Sequence, residues 1–429
     1  MSTEREKRDR TAARLDAMTH EEREGLYADL RQAGADNLAL QTLDHASLRE
    51  MTRREGLEPL PGATLDRLRY QLISHRARVS GLALGGGVLE VSPDGFGYLR
   101  ARCDSFAPGM DDIYVSAGQL HHLGLRHGHF VVGATRPPRE GELYFSLLRV
   151  ETVNGATTRQ RADRPAFESA MSVLPNAPLR ILHAAGDTQL AAIAALAPWA
   201  HGSRVLIWAP EGRARLKLLG RIAAAIRHAD PAVSTRACLL DAEPPDLAEF
   251  ARTSAGCDFV AASFDESPTR QVLVAELALA SAMRAAEAGS RVVLLLDSMT
   301  ALARHGNRER PREGTIGPAD VPTHALVRCK RMFAAARQLA EGGSLTVVAT
   351  MSSGCSLPVE HEASAMFAQK GNSIVAFDSL DDDALPCVAR TATRPEDLLL
   401  GRQAREELVA LRERLLALPA DARKQAFEP

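Results

Sequence analysis

From about residue 200 to 378, short unbroken apolar runs alternate with stretches of helical period. They read RVLIWAP, a helix to His228, TRACLLD, a helix near Leu247 to Thr253, FVAASF, a helix over 269–288, RVVLLLD, a helix over 325–340, SLTVVAT and NSIVAF. A strand that is apolar on both faces has to be covered on both, and a helix returning between consecutive strands makes those strands parallel. This half of the chain is therefore an α/β domain built on a parallel sheet. Ahead of it the rhythm is different. Leu26 and Leu30, Leu40 and Leu43, and Leu65, Leu68 and Leu72 recur at helical spacing, broken by Gly34, Pro59 and Pro61, which predicts a small helical subdomain. Around Gly85 to Gly87 the period drops to 2, and VLEVS, FGYLR, DIYVS, FVVGA and ELYFSLLRV follow as five short strands separated by Gly, Pro and Asp. That count suits a small barrel of the OB type.

These rhythms divide the 429 residues into a multidomain chain. Residues 1–18 are charged, without sustained apolar period, and read as a disordered start. A helical N-terminal subdomain covers 19–80, the OB-type β-barrel 81–153, a polar linker 154–178, the α/β domain 179–393, and a charged helical C-terminal tail 394–429. The chain carries 52 Lys and Arg against 54 Asp and Glu, a net charge of -2. A uniformly basic coat for nucleic acid is excluded, and any such site is local. No apolar run reaches the roughly eighteen residues that span a bilayer, and MSTEREKRDR holds no secretory h-region, so the expectation is a cytoplasmic protein with no membrane partner. The six cysteines, Cys103, Cys238, Cys257, Cys329, Cys355 and Cys387, are scattered without a CxxC and are expected to be free thiols. His121, His122, His127 and His129 lack an acidic or Cys companion at zinc spacing. No metal site is expected.

In VSPDGFGYLR, Phe96, Tyr98 and Arg100 stand at i, i+2 and i+4 and so project from one face of a strand. Aromatic residues on strands are most often core, but two rings and a guanidinium on one barrel face are what single-stranded bases stack on. Tyr114 in DDIYVS adds a ring. Glu142 and Tyr144 in GELYF repeat the geometry, with a carboxylate able to accept from cytosine N4. Between Gly81 and Glu151 the barrel has Arg100, 102, 126, 136, 139 and 149 against Asp or Glu at 90, 94, 104, 111, 112, 140, 142 and 151, so affinity is expected from stacking and edge recognition, with a shallow salt slope.

RVLIWAPEGRARLKLL is a strand, a turn and a helix start, the place of a P-loop. A working loop needs GxxxxGK[ST]: amides that approach phosphate, a lysine for the outer phosphates and a hydroxyl for magnesium. Here Ala214 replaces the glycine, Arg215 takes the lysine place and Leu216 offers no oxygen. Gly212, Arg215 and Asp297, the last at the end of VVLLLDS where a Walker B carboxylate belongs, remain as a vestigial nucleotide-binding set. The chain has only five lysines, Lys7, Lys217, Lys330, Lys370 and Lys424, so arginine for lysine alone is tolerable drift. Leucine for a hydroxyl is not.

At this point the motifs resemble those of the bacterial transcription termination factor Rho family. The resemblance runs from about Gly85 to Leu400 and is densest in DGFGYLR, GMDDIYVSAGQL, RPPREGELYFSLLRVETVNG, ASFDESPTRQVLVAE, VVLLLDSMTALAR and KRMFAAARQLAEGGSLTVVAT. It implies a helical N-terminal subdomain, an OB barrel of cold-shock type that captures pyrimidine-rich RNA, a RecA-like motor that hydrolyses ATP, and ring hexamers. Carried over, the RNA site is Phe96, Tyr98, Arg100, Tyr114, Glu142 and Tyr144. The motor departs from the family pattern. Family loops similar to APPKAGKT read APEGRARL here. LIDERPEE becomes LLDAEPPD, with Ala242 where a glutamate polarises water. The RNA-gripping loop is EGTIGPADVPTHAL, with Thr315 at the lysine place. A second channel loop similar to TGSKMDE reads CSLPVEH, with Pro358 at its lysine place. No arginine stands near Ser379, beside the acidic run Asp381 to Asp383, to reach a neighbour's ATP. The expectation is a Rho-like protein, not an active enzyme, that binds single-stranded, C-containing RNA and acts in termination or its regulation. No cofactor is required, though ATP or ADP held without turnover stays open. Its implied partners are RNA, authentic Rho subunits and RNA polymerase, in a homo-hexamer or a mixed ring. Two alternatives stand beside it: an active ATP-dependent RNA translocase or helicase in which Arg215 and Asp297 still serve, and a protein-interaction scaffold whose barrel rings meet a protein.

Overall fold

The computed structural model describes residues 11–59, 62–157, 164–181, 187–254, 256–309, 323–354, 356–381, 384–394 and 401–427. The chain separates into two compact units, Met1–Arg164 and Pro165–Pro429.

The first unit begins with helices. Residues 11–17 are helical and Leu15 is buried with Tyr27 and Leu30, so the expectation of a disordered start over 1–18 is corrected there; residues 1–10 lie outside the described residues. His20–Gln32 opens with a Thr19 capping box closed by Glu22, which satisfies two orphan donors of the first turn. His45–Arg54 is capped by Asp44. Leu65–Ser80 buries Leu68, Leu72, Ile73 and Ala77 on its inner face.

The barrel follows as β1 (Ala83–Val91), β2 (Gly97–Arg100), β3 (Ile113–Val115), β4 (Phe130–Arg136) and β5 (Phe145–Val153). Its order is β3-β2-β1-β4-β5, and a parallel pairing of β3 with β5 closes the five strands. Closure removes the exposed edges that an open sheet of this size leaves. The interior is Leu89, Leu99, Ile113, Val115, Val131, Phe145 and Leu147, joined by Leu68 and Leu72 of the preceding helix.

In the second unit β6 (Arg204–Ala209), β7 (Ser234–Ala242), β8 (Asp258–Ser263), β9 (Arg291–Asp297), β10 (Ser344–Ser352) and β11 (Ser373–Ala376) form the parallel sheet expected from the alternation, in the order β8-β7-β9-β10-β6-β11. Their residues are almost wholly buried: β10 has no exposed position. The helices Arg213–Ala229, Pro244–Thr253, Pro268–Glu287, Met299–Glu309 and Thr323–Ala334 lie between these strands in the chain. The helix expected over 325–340 ends at Ala334, and Arg337–Leu339 is instead a short antiparallel strand on β10, reached through Gly342 and Gly343 at positive φ. Tertiary pairing has overridden helical period here. The expected linker 154–178 is also shorter. Ala156–Thr157 still pairs with β5, residues 158–163 lie outside the described residues, and Phe167 is fully buried with its N–H donated to Glu287 at 2.9 Å. The tail helix Arg402–Ala417 buries Leu408 and Leu415, the latter with Leu196 and Val388. No described helix is long and apolar enough to cross a membrane.

Candidate nucleic-acid interface and nucleotide pocket

The barrel gathers all four predicted rings. Hairpin β1–β2 turns through Ser92 to Phe96, where Gly95 sits at φ +86°, a left-handed position that costs glycine nothing. Gly97 is required for a second reason: a Cβ there would stand 2.9 Å from the Glu90 carbonyl oxygen. Between and beside these glycines, Phe96 and Tyr98 meet edge to face at 5.6 Å. Tyr114, directly opposite Tyr98 in the β2–β3 register, lies 5.7 Å from Phe96 and 6.2 Å from Tyr98, and Tyr144 lies 5.1 Å from Tyr98. All four are half-buried, so each keeps ring surface accessible while its neighbours fix its tilt.

The two charged members of the predicted set are held more tightly than the sequence suggests. Arg100 is 7% exposed; its Nε donates to Glu90 at 2.6 Å, its Nη1 to Asp112, and its Cζ stands 4.9 Å over the Tyr98 ring. Arg100 is therefore a charge buried under the ring cluster rather than a free cation on the face. Burial pushes the Asp112 carboxyl up to about 7 against the downward pull of Arg100. Glu142 takes a two-pronged grip from Arg136, Nη1 to Oε2 at 2.5 Å and Nη2 to Oε1 at 2.8 Å, and accepts the Arg139 N–H at 3.1 Å. These bonds, the Arg136 fork first, hold its carboxyl below the ordinary range and keep it an acceptor. Tyr114, Ser116, Gln119, Arg136, Glu142, Leu143, Tyr144, Ser146 and Leu147 line a pocket of about 260 Å³. That is below the roughly 300–1,000 Å³ of drug-sized sites.

Glu90, Asp112 and Arg136 escaped sequence reasoning. The adjacent Asp111 and Asp112 divide their work, as alternation near a strand start directs. Asp112 faces Arg100, while Asp111 accepts from Arg69 Nε of the helix Leu65–Ser80 at 2.5 Å. The acidic pair in DD was visible, but its partners lie 42 and 12 residues away, which no local pattern encodes.

In the second unit the loop after β6 meets the helix Arg213–Ala229 at Gly212, whose φ is +136°. β6 has later strands on both sides, β10 and β11, the switch point at which α/β sheets bind ligands. Arg215 is buried there and paired with Asp297, Nε lying 2.6 Å from Oδ1 and Nη2 donating to Oδ2 at 3.2 Å, while Thr350 donates to the same carboxylate. Arg215 and Asp297, two of the residues expected to face a nucleotide, thus hold each other. Arg215 Nη1 has no hydrogen-bond partner, and Nε, though 2.6 Å from Oδ1, makes no hydrogen bond either, which leaves donors for an anion or a water. Leu216 and Ala242 are 4% exposed and belong to the hydrophobic core. Glu211 places a carboxylate in the loop itself. Pro358 opens the helix Pro358–Ala368 and Ser379 is exposed; Thr315 and Cys355 lie outside the described residues. Among those residues no group of three His, Cys, Asp or Glu could hold a metal, and Cys103, Cys238, Cys257, Cys329 and Cys387 are free.

Residues 85–159 match the model of the Rho termination factor RNA-binding domain, the span that carries the ring cluster. Transcription termination factor Rho of Pseudomonas aeruginosa is 35% identical over 374 residues, covering 86% of this chain and 89% of that protein. The factor from Haemophilus influenzae is 36% identical over 364 residues, covering 83% and 86%, and that of a Buchnera aphidicola strain 37% identical over 315 residues, covering 73% and 75%. A barrel with four converging rings, a parallel sheet of this order and identity sustained across both units together show that the chain belongs to the transcription termination factor Rho family.

Proposed function

We propose that this chain captures single-stranded, C-containing RNA on Phe96, Tyr98, Tyr114 and Tyr144 and acts in transcription termination or its regulation without ATP-driven translocation. The observation that carries this reading is a contrast between the two units. The RNA-facing rings converge, whereas the position of the magnesium hydroxyl is a core leucine and that of the water-polarising carboxylate a core alanine. A phosphate oxygen finds Gly212 and the spare donors of Arg215, but Glu211 opposes its charge and no side-chain oxygen stands at 216 for a metal. The residues present do not fit a magnesium nucleotide poised for hydrolysis, and ADP or ATP bound there serves structure alone. Without its own motor, such a protein acts by occupying RNA or by entering a ring with intact family members, to which it brings an inert site.

The test measures ATP hydrolysis by the purified full-length protein with and without poly(C), beside poly(C) binding at two salt concentrations. RNA binding without turnover is expected. RNA-stimulated hydrolysis would overturn the reading and restore the active translocase. Retention of RNA by a Phe96→Ala, Tyr98→Ala double variant at wild-type affinity would move the function to protein contacts instead.

A further inference from the structure

The charge beneath the ring cluster is unbalanced. Arg100 of β2 is shared between Glu90 of β1 and Asp112 of the loop before β3, and Arg69 of the helix Leu65–Ser80 between Asp104 and Asp111. Two guanidinia thus face four carboxylates, and the side chains of Arg69 and Asp112 are 1% and 2% exposed. Asp111 and Asp112 are neighbours in the chain, so the two halves share one buried site. Asp66 brings a further carboxylate to the Asp111 half, where it accepts the Met110 N–H at 3.0 Å. Asp112 has one neutral donor besides Arg100, the Gly109 N–H at 2.9 Å. Because the Arg100 guanidinium stands 4.9 Å over the Tyr98 ring, the excess negative charge lies one ring away from the surface on which bases are proposed to stack.

A buried charge without a counter-charge is strongly unfavourable, and binding a proton relieves it. Burial lifts the Asp112 carboxyl to about 7 against the pull of Arg100 and the Gly109 N–H, with Asp111 adding to the rise, and burial lifts Asp111 as well. The nearby Cys103 thiol is pushed up to about 11, burial first, and stays neutral throughout. Single-stranded RNA brings a row of phosphates within the ~10 Å over which charges interact in ordinary salt. We propose that RNA capture by the barrel is coupled to the uptake of a proton at Asp112, so that acidification through the neutral range strengthens binding. With Asp112 neutral, Arg100 is matched by Glu90 alone and the excess negative charge directly under Tyr98 is gone. The sign follows from linkage: phosphates favour the protonated carboxyl, the bound state holds more protons than the free one, and affinity rises as pH falls. The proposal rests on the reading that the rings hold RNA, and adds the condition under which they hold it best. The competing source of such a dependence is histidine: His127 accepts the Val91 N–H at 3.3 Å, beside Glu90, and His129 accepts that of Arg126 at 2.8 Å, while His121 and His122 end a short helix of the same barrel.

Binding of labelled oligo(C) and oligo(U) to the full-length protein, followed by anisotropy at constant ionic strength, tests this; oligo(U) is included because cytosine strands pair through a shared proton in acid and uracil strands do not. Both are expected to bind at least about threefold more tightly at about pH 6.5 than at about pH 8. Calorimetry near neutral pH, in two buffers of different ionisation enthalpy, is expected to show part of a proton taken up with each strand. Asp112→Asn keeps the shape and removes the charge, so it is expected to bind at the higher pH within about twofold of the wild-type value at the lower one, and to take up no proton. Glu90→Gln serves as a second variant should Asp112→Asn fail to fold: it leaves Arg100 to Asp112 alone, lowers that carboxyl and moves the wild-type rise to lower pH. Affinity that is flat across the range, or that grows with pH, overturns the proposal while leaving the RNA reading in place. An Asp112→Asn protein with the wild-type pH dependence overturns it too, and assigns the effect to the histidines. Absence of RNA binding at every pH strikes the proposed function itself, and the coupling with it.

Discussion

Tyr98 is the hub of the ring cluster, and its removal tests the interface more sharply than any other single change. Its ring lies 5.1 to 6.2 Å from three other rings and under the Arg100 guanidinium at 4.9 Å. Tyr98→Ala deletes one stacking plane, which for a base is worth roughly 1–3 kcal/mol. At 1.4 kcal/mol per factor of ten, affinity for an oligo(C) single strand falls by about 5- to 140-fold. The same change removes up to three ring pairs of about 0.5–1.5 kcal/mol each, not fully additive, so thermal melting must accompany the binding assay. Tyr98→Phe keeps the plane and the neighbours and is expected to bind within twofold of wild type. Fluorescence anisotropy at two salt concentrations adds a second criterion. The barrel has more carboxylates than arginines, so Tyr98→Ala lowers the binding constant without changing its salt slope, since no phosphate-contacting charge has been lost. A folded Tyr98→Ala protein that binds oligo(C) within twofold of wild type would refute the argument that the converging rings are the binding surface.

Two further outcomes follow from buried charge. Arg69, with 1% of its side chain exposed, is held between Asp104 and Asp111. Arg69→Ala leaves Asp111 buried and unpaired, at a cost of about 3–5 kcal/mol, and the melting transition of the first unit is expected to fall by roughly 6–20 °C; a change under about 2 °C on that scale would show that water replaces the guanidinium. The second outcome concerns acid. Burial pushes Glu360 and Asp241 up, but backbone N–H groups with Arg304 in the first case, and His305 with Arg304 in the second, outweigh it and hold both carboxyls below their ordinary values of 4.5 and 3.8. The unfolded chain therefore binds more protons in acid than the folded one. This part of the stability is complete above pH 4.5 and is lost as pH falls through the depressed values. Arg304→Gln is expected to flatten that acid decline in urea titrations between pH 6 and 3, and superimposable declines would count against it.

The architecture was largely legible because its signals are periodic. The strands β6, β7, β9 and β10 were visible as unbroken apolar runs, and the five barrel strands as alternation between glycines and prolines. The helical start over 11–17 was hidden by its charges, since only Leu15 reaches the core. The end of the helix Thr323–Ala334 was missed because pairing of Arg337 with Leu345 competes with helical period. At the candidate site Phe96 and Tyr98 were readable from i, i+2 spacing, a property of one strand, whereas Tyr114 and Tyr144 were added from separate segments. The engagement of Arg100 and Glu142 was not, because Glu90, Asp112 and Arg136 come from the turns and neighbouring strands of a closed barrel. Arg304 lay in plain view within MTALARHGN, yet its partners Glu360, Asp241 and Glu211 are 56 to 93 residues away. Long-range charge pairing leaves no periodic trace.

The buried pair of Arg215 and Asp297 also bears on how such a pocket changes over generations. Neutralising either residue strands the other as a buried charge, at about 3–5 kcal/mol, a large share of the roughly 5–15 kcal/mol that keeps a domain folded. Replacing Leu216 by threonine puts a hydroxyl into packed hydrocarbon before any metal is there to meet it. On the proposed reading, each change toward the family's phosphate-binding loop is therefore unfavourable taken singly. If the motor is lost as proposed, the pocket behaves as a ratchet: selection can keep refining the barrel, while the packing of Leu216 and the Arg215–Asp297 pair oppose the route back.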